Sequence, residues 1–131
     1  MFAQHFGLEL KALVPVRGEP MISHVVRTLR ASPLIGEIIV LCQEPDALRS
    51  AVDAAGGATL VESQSSISLS IKRQVDALGF SSPILVTTAD HPLLTVDMIA
   101  EFLGKADGDV AIAMVERKTM LAQFPDAKRT W

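Results

Sequence analysis

One short segment, residues 84–92 with the sequence ILVTTADHP, most constrains what this chain can fold into. It is a continuous apolar run that ends on a carboxylate, Asp90, and is then stopped by Pro92. Runs of this kind are typical of strands covered on both faces in a parallel sheet. Because ligands gather beyond the carboxyl ends of such strands, Asp90 is placed where it could hold Mg²⁺. It could equally cap the next helix or close a turn, since aspartate is common in both roles.

Apolar runs and helical periodicities alternate along the whole chain, and chain breakers separate them. This alternation indicates βαβ units and a parallel sheet, so we predict one α/β domain over residues 1–131. Pro15 confines the first strand to a sheet edge or to a place outside the main sheet. The predicted strands lie at 11–16, 37–42, 58–62, 84–89 and 109–115, and the predicted helices at 20–31, 45–55, 67–79, 95–103 and 117–124.

Composition excludes several classes of protein. The formal net charge of −3 gives no electrostatic case for nucleic-acid binding. No apolar stretch approaches membrane-spanning length and no signal peptide is recognisable, so we expect a cytoplasmic protein without a membrane partner. The single cysteine, Cys42, is expected to be a buried strand residue. There is no Walker loop, dinucleotide glycine fingerprint or nucleophile elbow.

Lys11 and Gly18 form the first candidate site. Lys11 begins a predicted strand, and Gly18 and Pro20 follow at the start of a predicted helix. A lysine can reach a bound phosphate as a point charge, and a helix N-terminus offers free N–H groups to an anion. The alternative is a solvated lysine beside a turn, with Gly18 required only for backbone geometry.

Serines at positions 63, 65, 66, 68 and 70 crowd the predicted start of the helix at 67–79, where hydroxyls and free N–H groups could bind a nucleotide. The alternative, which residue types alone favour, is that they cap the helix. His91 lies beside Asp90 and could donate a hydrogen bond or ligate a metal, although a lone histidine is weak evidence. His5 and His24 show no ligand spacing and are interpreted as structural or surface residues.

Two of these segments resemble motifs of a known family. Residues 11–22, KALVPVRGEPMI, resemble the K-x-L-x-P-V-x-G-x-P-[ML]-[IL] element of the MobA-like nucleotidyltransferases. The resemblance continues through residues 37–40 and the serine-rich helix start. It ends in residues 85–94, which resemble the strand that leads into the family's metal-binding Asp-x-Pro. Either motif alone is moderately specific, and both in this order make a good case.

The resemblance implies a fold and a chemistry. The fold would be a three-layer αβα, mostly parallel, Rossmann-like GT-A fold. The activity would be transfer of a nucleotidyl group from a nucleoside triphosphate to a phosphate-bearing or cofactor-precursor small-molecule acceptor, with release of pyrophosphate. Lys11 and Asp90 would be the catalytic residues, Lys11 at the phosphates and Asp90 on Mg²⁺. Gly18, Ser66 and Ser68 would lie near the nucleotide.

The chain also departs from the family pattern. It lacks the opening apolar strand and the glycine-rich loop that wraps the triphosphate, and its end at 129–131 resembles the entry to a further strand. Glu19 adds negative charge beside the expected phosphate site. We therefore expect a partial transferase domain, and the competing hypothesis is a non-catalytic remnant that binds nucleotide weakly or serves in assembly. An interior strand left without its neighbour would expose an apolar sheet edge, so a homo-oligomer is expected.

Overall fold

The computed structural model describes residues 7–79 and 83–126. Within these residues the fold is a small α/β arrangement in which short strands and helices follow one another. A 3₁₀ turn at Lys11–Leu13 comes first. The elements are β1 (Pro15–Val16), β2 (Glu19–Pro20), α1 (Met21–Ala31), β3 (Ile39–Cys42), α2 (Pro45–Ala54), β4 (Thr59–Glu62), α3 (Ile67–Leu78), α4 (Val96–Lys105) and α5 (Arg117–Gln123).

Strands β1 and β2 form a two-residue hairpin in which Val16 pairs with Glu19. The turn residues Arg17 and Gly18 have φ angles of 52° and 85°. Positive φ at both positions is the pattern of the type I′ turn, whose twist matches that of the flanking strands. Gly18 therefore has the backbone role that its residue type suggested. Pro20 directly precedes α1 rather than lying in its first turn.

Strands β3 and β4 form a parallel pair, with Ile39 opposite Thr59 and Cys42 opposite Glu62. Helix α2 connects them and begins at Pro45, because proline is tolerated where the first N–H has no helical partner. The strand predictions at 37–42 and 58–62 and the helix between them are confirmed within two residues at each end. Cys42 lies on β3 as predicted, but it is half-buried rather than buried.

Helix α1 lies at the centre of the core. Ile22 and Val26 belong to one buried cluster with Leu48 and Val52 of α2. The neighbouring face of α1 enters a second buried cluster, in which Val25 and Leu29 lie with Ile38 and Ile99. Because these helix positions recur at spacings of three and four, the apolar stripe is wide enough to serve both clusters.

Three strand predictions require correction. Residues 11–13 form the 3₁₀ turn, so only Pro15–Val16 of the first segment is a strand. Among the described residues, 84–89 and 109–115 have no assigned strand. Segment 83–90 does alternate, with Leu85, Thr87 and Ala89 half-buried and the residues between them exposed. That period of two is typical of a strand surface, but the described residues include no paired neighbour for this segment.

The sheet is therefore smaller than predicted. The described residues contain one parallel and one antiparallel pair, so a mostly parallel sheet is not observed. Side chains of β3 and β4 that include Val40 and Leu60 pack against the α1–α2 cluster. On the other face, a cleft of about 420 Å³ lined by Leu41 and Val61 separates the sheet from α3. A packed third layer is not established, and the three-layer arrangement remains a prediction.

The remaining helices agree with the sequence patterns. Helix α3 ends at Gly79, which adopts the left-handed conformation (φ 57°) that a helix C-terminus favours. Helix α4 begins after Thr95, whose hydroxyl accepts a hydrogen bond from the Met98 N–H at 3.2 Å. Helix α5 ends one residue earlier than predicted. Among the described helices, none combines the length and the apolar character needed to cross a bilayer.

Candidate functional site

The two residues predicted to be catalytic contact each other. The ammonium of Lys11 donates a hydrogen bond to Oδ2 of Asp90, and the two charges form an ion pair. They are separated by 79 positions in the chain, so the tertiary fold alone brings them together. The side chains are 55% and 36% exposed, respectively, which leaves the pair open to ligands from solvent.

The environment of Asp90 stabilises its ionised form. Lys11 is the main cause, and a hydrogen bond from the side chain of Thr88 adds to it, so the pKa of Asp90 lies below its ordinary value. An opposite charge and donated hydrogen bonds both favour a carboxylate over the neutral acid. Asp90 is thus a charged oxygen donor throughout the neutral pH range.

The backbone on both sides of the pair is anchored to the core. Leu10, Ala12 and Leu13 pack against the α1–α2 cluster, which fixes the 3₁₀ turn that carries Lys11. On the other side, Ala89 packs against the same cluster. The hydroxyl of Thr28 on α1 donates a hydrogen bond to the Leu94 carbonyl at 3.1 Å. The two functional groups are therefore partly exposed side chains on anchored backbones.

Thr88 is a site residue that sequence reasoning did not single out. Its side chain hydrogen-bonds to Asp90 and contributes to lowering that carboxyl's pKa. The available signal was the position of Thr88 two residues before Asp90 in a predicted strand, because residues two apart lie on the same side of an extended chain. Both Thr88 and Asp90 fall on the exposed side of the alternation along 83–90.

Gly18 and Ser66 have structural roles among the described residues. Ser66 is the N-cap of α3, and its hydroxyl accepts a hydrogen bond from the Leu69 N–H at 3.2 Å. Ser68 is exposed in the first turn of α3. Among the described contacts, none joins Ser66 or Gly18 to Lys11 or Asp90. The capping interpretation of Ser66 is confirmed, while nucleotide binding by Gly18, Ser66 and Ser68 stays a prediction.

The histidines divide between structure and surface. A ring N–H of His24 donates to the Val16 carbonyl, with 2.9 Å between nitrogen and oxygen, and this ties α1 to the hairpin. That bond confirms the structural interpretation of His24. His91 is exposed beside Asp90, and a role for it as a metal ligand stays a prediction. His5 lies outside the described residues.

The donor set at Asp90 fits one kind of metal site. Among residues 7–79 and 83–126, no group of three or more histidine, cysteine, aspartate or glutamate side chains is arranged to hold an ion. The described residues therefore form no closed cage of protein ligands for zinc or calcium. Mg²⁺, however, is commonly held by one or two carboxylates together with substrate phosphates and waters. Asp90 fits such a site only when a nucleotide supplies the remaining ligands.

Comparison with known proteins gives consistent results. The sequence matches the MobA-like NTP transferase domain over residues 3–125. It is 33% identical over 120 residues to a 3-deoxy-manno-octulosonate cytidylyltransferase of Geotalea daltonii, covering 90% of this chain and 47% of that protein. A protein of the same name from Geotalea uraniireducens is 29% identical over 119 residues, with the same coverage. The bifunctional protein GlmU of Ralstonia pickettii is 29% identical over 100 residues, or 76% of this chain and 22% of GlmU.

These matches define the extent of the relationship. The chain spans about half the length of the two cytidylyltransferases and about a fifth of GlmU. The family match includes both sequence motifs, and the ion pair between Lys11 and Asp90 joins them in space. The chain belongs to the family of MobA-like NTP transferase domains.

Proposed function

We propose that this chain is the nucleotide-binding part of a Mg²⁺-dependent nucleotidyltransferase. It would transfer a nucleotidyl group from a nucleoside triphosphate to a phosphate-bearing or cofactor-precursor acceptor and release pyrophosphate. The observation that supports this most is the contact between Lys11 and Asp90. It places a cation that can bind phosphate beside a carboxylate that can bind a metal ion. Family membership supports nucleotidyl transfer in general, and two of the relatives are named cytidylyltransferases.

The residues present suit this chemistry, which needs positioning more than covalent help. The Lys11 ammonium would bind phosphate oxygens as a point charge and offset the charge that develops on them. Asp90, kept ionised by its surroundings, would hold Mg²⁺ against the same phosphates. Bound Mg²⁺ would supply charge neutralisation and a template for in-line attack. The fixed backbones beneath both residues would keep the phosphates aligned with the acceptor oxygen.

The substitution Asp90→Asn tests the proposal. It is nearly isosteric but removes the charge that a divalent cation needs, so we expect Mg²⁺-dependent nucleotide binding to be lost while the fold remains intact. Isothermal titration with CTP and the other nucleoside triphosphates, with Mg²⁺ or EDTA, measures the binding. CTP is tested first because two of the relatives are named cytidylyltransferases.

Asp76→Asn is the matched control. Asp76 is also an exposed aspartate paired with a lysine, Lys72, but it lies on α3. Its replacement should leave nucleotide binding unchanged. Retention of Mg²⁺-dependent binding by Asp90→Asn would refute the metal role. Unfolding of that variant, monitored by circular dichroism, would show that Asp90 is a structural residue instead. Pyrophosphate release with a panel of sugar phosphates, sugar acids and cofactor precursors then identifies the acceptor.

A further inference from the structure

We propose that, in the nucleotide-free protein, the Lys11 ammonium occupies the cation position at Asp90, and that binding of Mg²⁺ with a nucleotide exchanges the two cations. Lys11 then moves from the carboxylate to the nucleotide phosphates. This inference rests on the proposed function and adds a control of metal binding to it. The contact of Lys11 Nζ with Asp90 Oδ2 is the observation behind it.

The contact blocks a second cation by charge and by space. Oδ2 of Asp90 already accepts a hydrogen bond from the Lys11 ammonium, and the Thr88 side chain also hydrogen-bonds to the carboxylate. A divalent ion that approached this carboxylate would be repelled by the Lys11 ammonium, which is hydrogen-bonded to Oδ2. Coulomb repulsion at such separations remains significant even near a protein surface. Metal alone therefore binds Asp90 poorly while Lys11 is in place.

The block is weak enough to be released. Both side chains are more than a third exposed, and exposed ion pairs are strongly screened by water. Lysine has a flexible four-carbon stem, so the ammonium can leave without a change in the anchored backbone of the 3₁₀ turn. The triphosphate of a nucleotide offers the ammonium several anionic oxygens in exchange for one carboxylate.

Exchange makes metal and nucleotide cooperative. A nucleotide that draws Lys11 away frees the carboxylate for Mg²⁺, and Mg²⁺ on the carboxylate frees Lys11 for the phosphates. By linkage, each ligand must raise the affinity for the other by the same factor. The protein would thus select the metal–nucleotide complex over either component alone.

Titration with Mn²⁺ in the absence of nucleotide tests the exchange directly. The readout is paramagnetic broadening of the amide NMR signals of Ala89, Asp90 and His91, which needs no enzymatic activity. For Lys11→Met, we expect broadening at a lower Mn²⁺ concentration than in the wild type. The expected change is up to about fivefold, equivalent to about 1 kcal/mol for an exposed pair. Lys11→Arg, which keeps the charge, should behave like the wild type.

Lys105→Met is the matched control, because Lys105 forms an exposed ion pair with Glu101 on α4. It should leave the Mn²⁺ titration of the signals at 89–91 unchanged. Asp90→Asn gives the baseline for non-specific broadening. Lys11→Gln replaces Lys11→Met if the spectrum of the latter shows loss of the fold.

The outcomes separate this inference from the proposed function. Equal Mn²⁺ midpoints for the wild type and Lys11→Met would overturn the exchange, even if Mg²⁺-dependent nucleotide binding were intact. A lower midpoint for Lys11→Met, together with weaker binding of the metal–nucleotide complex, would support it. A wild type whose signals responded to neither Mn²⁺ nor metal–nucleotide would refute the exchange and the proposed function together.

Discussion

At the scale of single residues, the contact with Lys11 controls the pKa of Asp90. Lys11 is the main cause of the lowered pKa, so we expect Lys11→Met to raise the pKa of Asp90 toward its ordinary value. The carboxyl ¹³C shift of Asp90 in a pH titration measures the change. Lys105→Met should instead raise the pKa of Glu101, which Lys105 lowers in the same manner, and leave Asp90 unaffected.

The direction of the pH dependence follows from the same shift. Folding lowers the pKa of Asp90, so the stabilisation by the pair is present above the ordinary aspartate pKa of about 3.9. It is lost as the pH falls through the lowered value of the folded state. Because the pair is exposed, the loss should be under about 1 kcal/mol. A Lys11→Met variant that kept the wild-type pKa of Asp90 would contradict the assigned cause.

Substitution of two glycines would measure backbone strain without a contribution from steric crowding. Gly18 has a φ of 85°, whereas Gly36 is outside the left-handed region, and a Cβ at either position would meet no atom within 4 Å. Gly18→Ala should therefore lower the free energy of unfolding by about 1–2 kcal/mol through left-handed strain alone. Gly36→Ala should be neutral or slightly stabilising. Urea denaturation measures both, and equal effects would contradict the hairpin geometry.

At the scale of secondary-structure elements, we expect the N-cap of α3 to contribute to the free energy of unfolding. Ser66 caps the helix, so Ser66→Ala should lower the free energy of unfolding by about 1 kcal/mol. Ser68→Ala, on an exposed helical position, should change it by less than about 0.5 kcal/mol. Urea denaturation compares the two variants. Equal losses would contradict the cap, and a loss of nucleotide affinity in Ser68→Ala would support the ligand role implied by family resemblance.

The helices were predictable from the sequence because their signals are local. The apolar stripe of α1 recurs every three or four residues along one helix, and Pro45 and Gly79 act within one turn of the ends of α2 and α3. The segment at 84–89 forms no paired strand among the described residues, although the sequence predicts one there. The continuous apolar run marks an extended segment, but strand pairing depends on a neighbour elsewhere in the chain. The short 3₁₀ turn at Lys11–Leu13 has too few residues to show a period.

The candidate site was predictable in its parts but not in its geometry. Lys11 and Asp90 were each proposed from their positions beside predicted strands and then through family resemblance. Their direct contact joins two positions that are 79 apart in the chain, and no local pattern encodes it. Ser66 shows the opposite case, because residue type alone favoured capping and the structure confirms it.

At the scale of the whole molecule, the apolar segment at 110–115 predicts self-association. Val110, Ile112 and Met114 are 75–86% exposed, and the described residues give this segment no strand partner. Exposed apolar strand-like segments are templates for pairing with another chain. We expect wild-type protein to associate with rising concentration in sedimentation velocity, and Ile112→Lys to weaken that association.

Ile67→Lys is the matched control, because Ile67 is 77% exposed but lies on α3. It should associate like the wild type. If the two variants weakened association equally, general hydrophobicity rather than segment 110–115 would be responsible. A wild-type protein that remained monomeric at all concentrations would contradict the prediction.

Helix α1 has a consequence for how the chain is made. It emerges early in synthesis, yet its stripe needs Leu48 and Val52 on one side and Ile99 on the other. The first cluster can close once α2 has left the ribosome, but the second must wait until α4 follows. During that interval, Val25 and Leu29 have Ile38 but not Ile99 to pack against, so this face of α1 stays partly open to water.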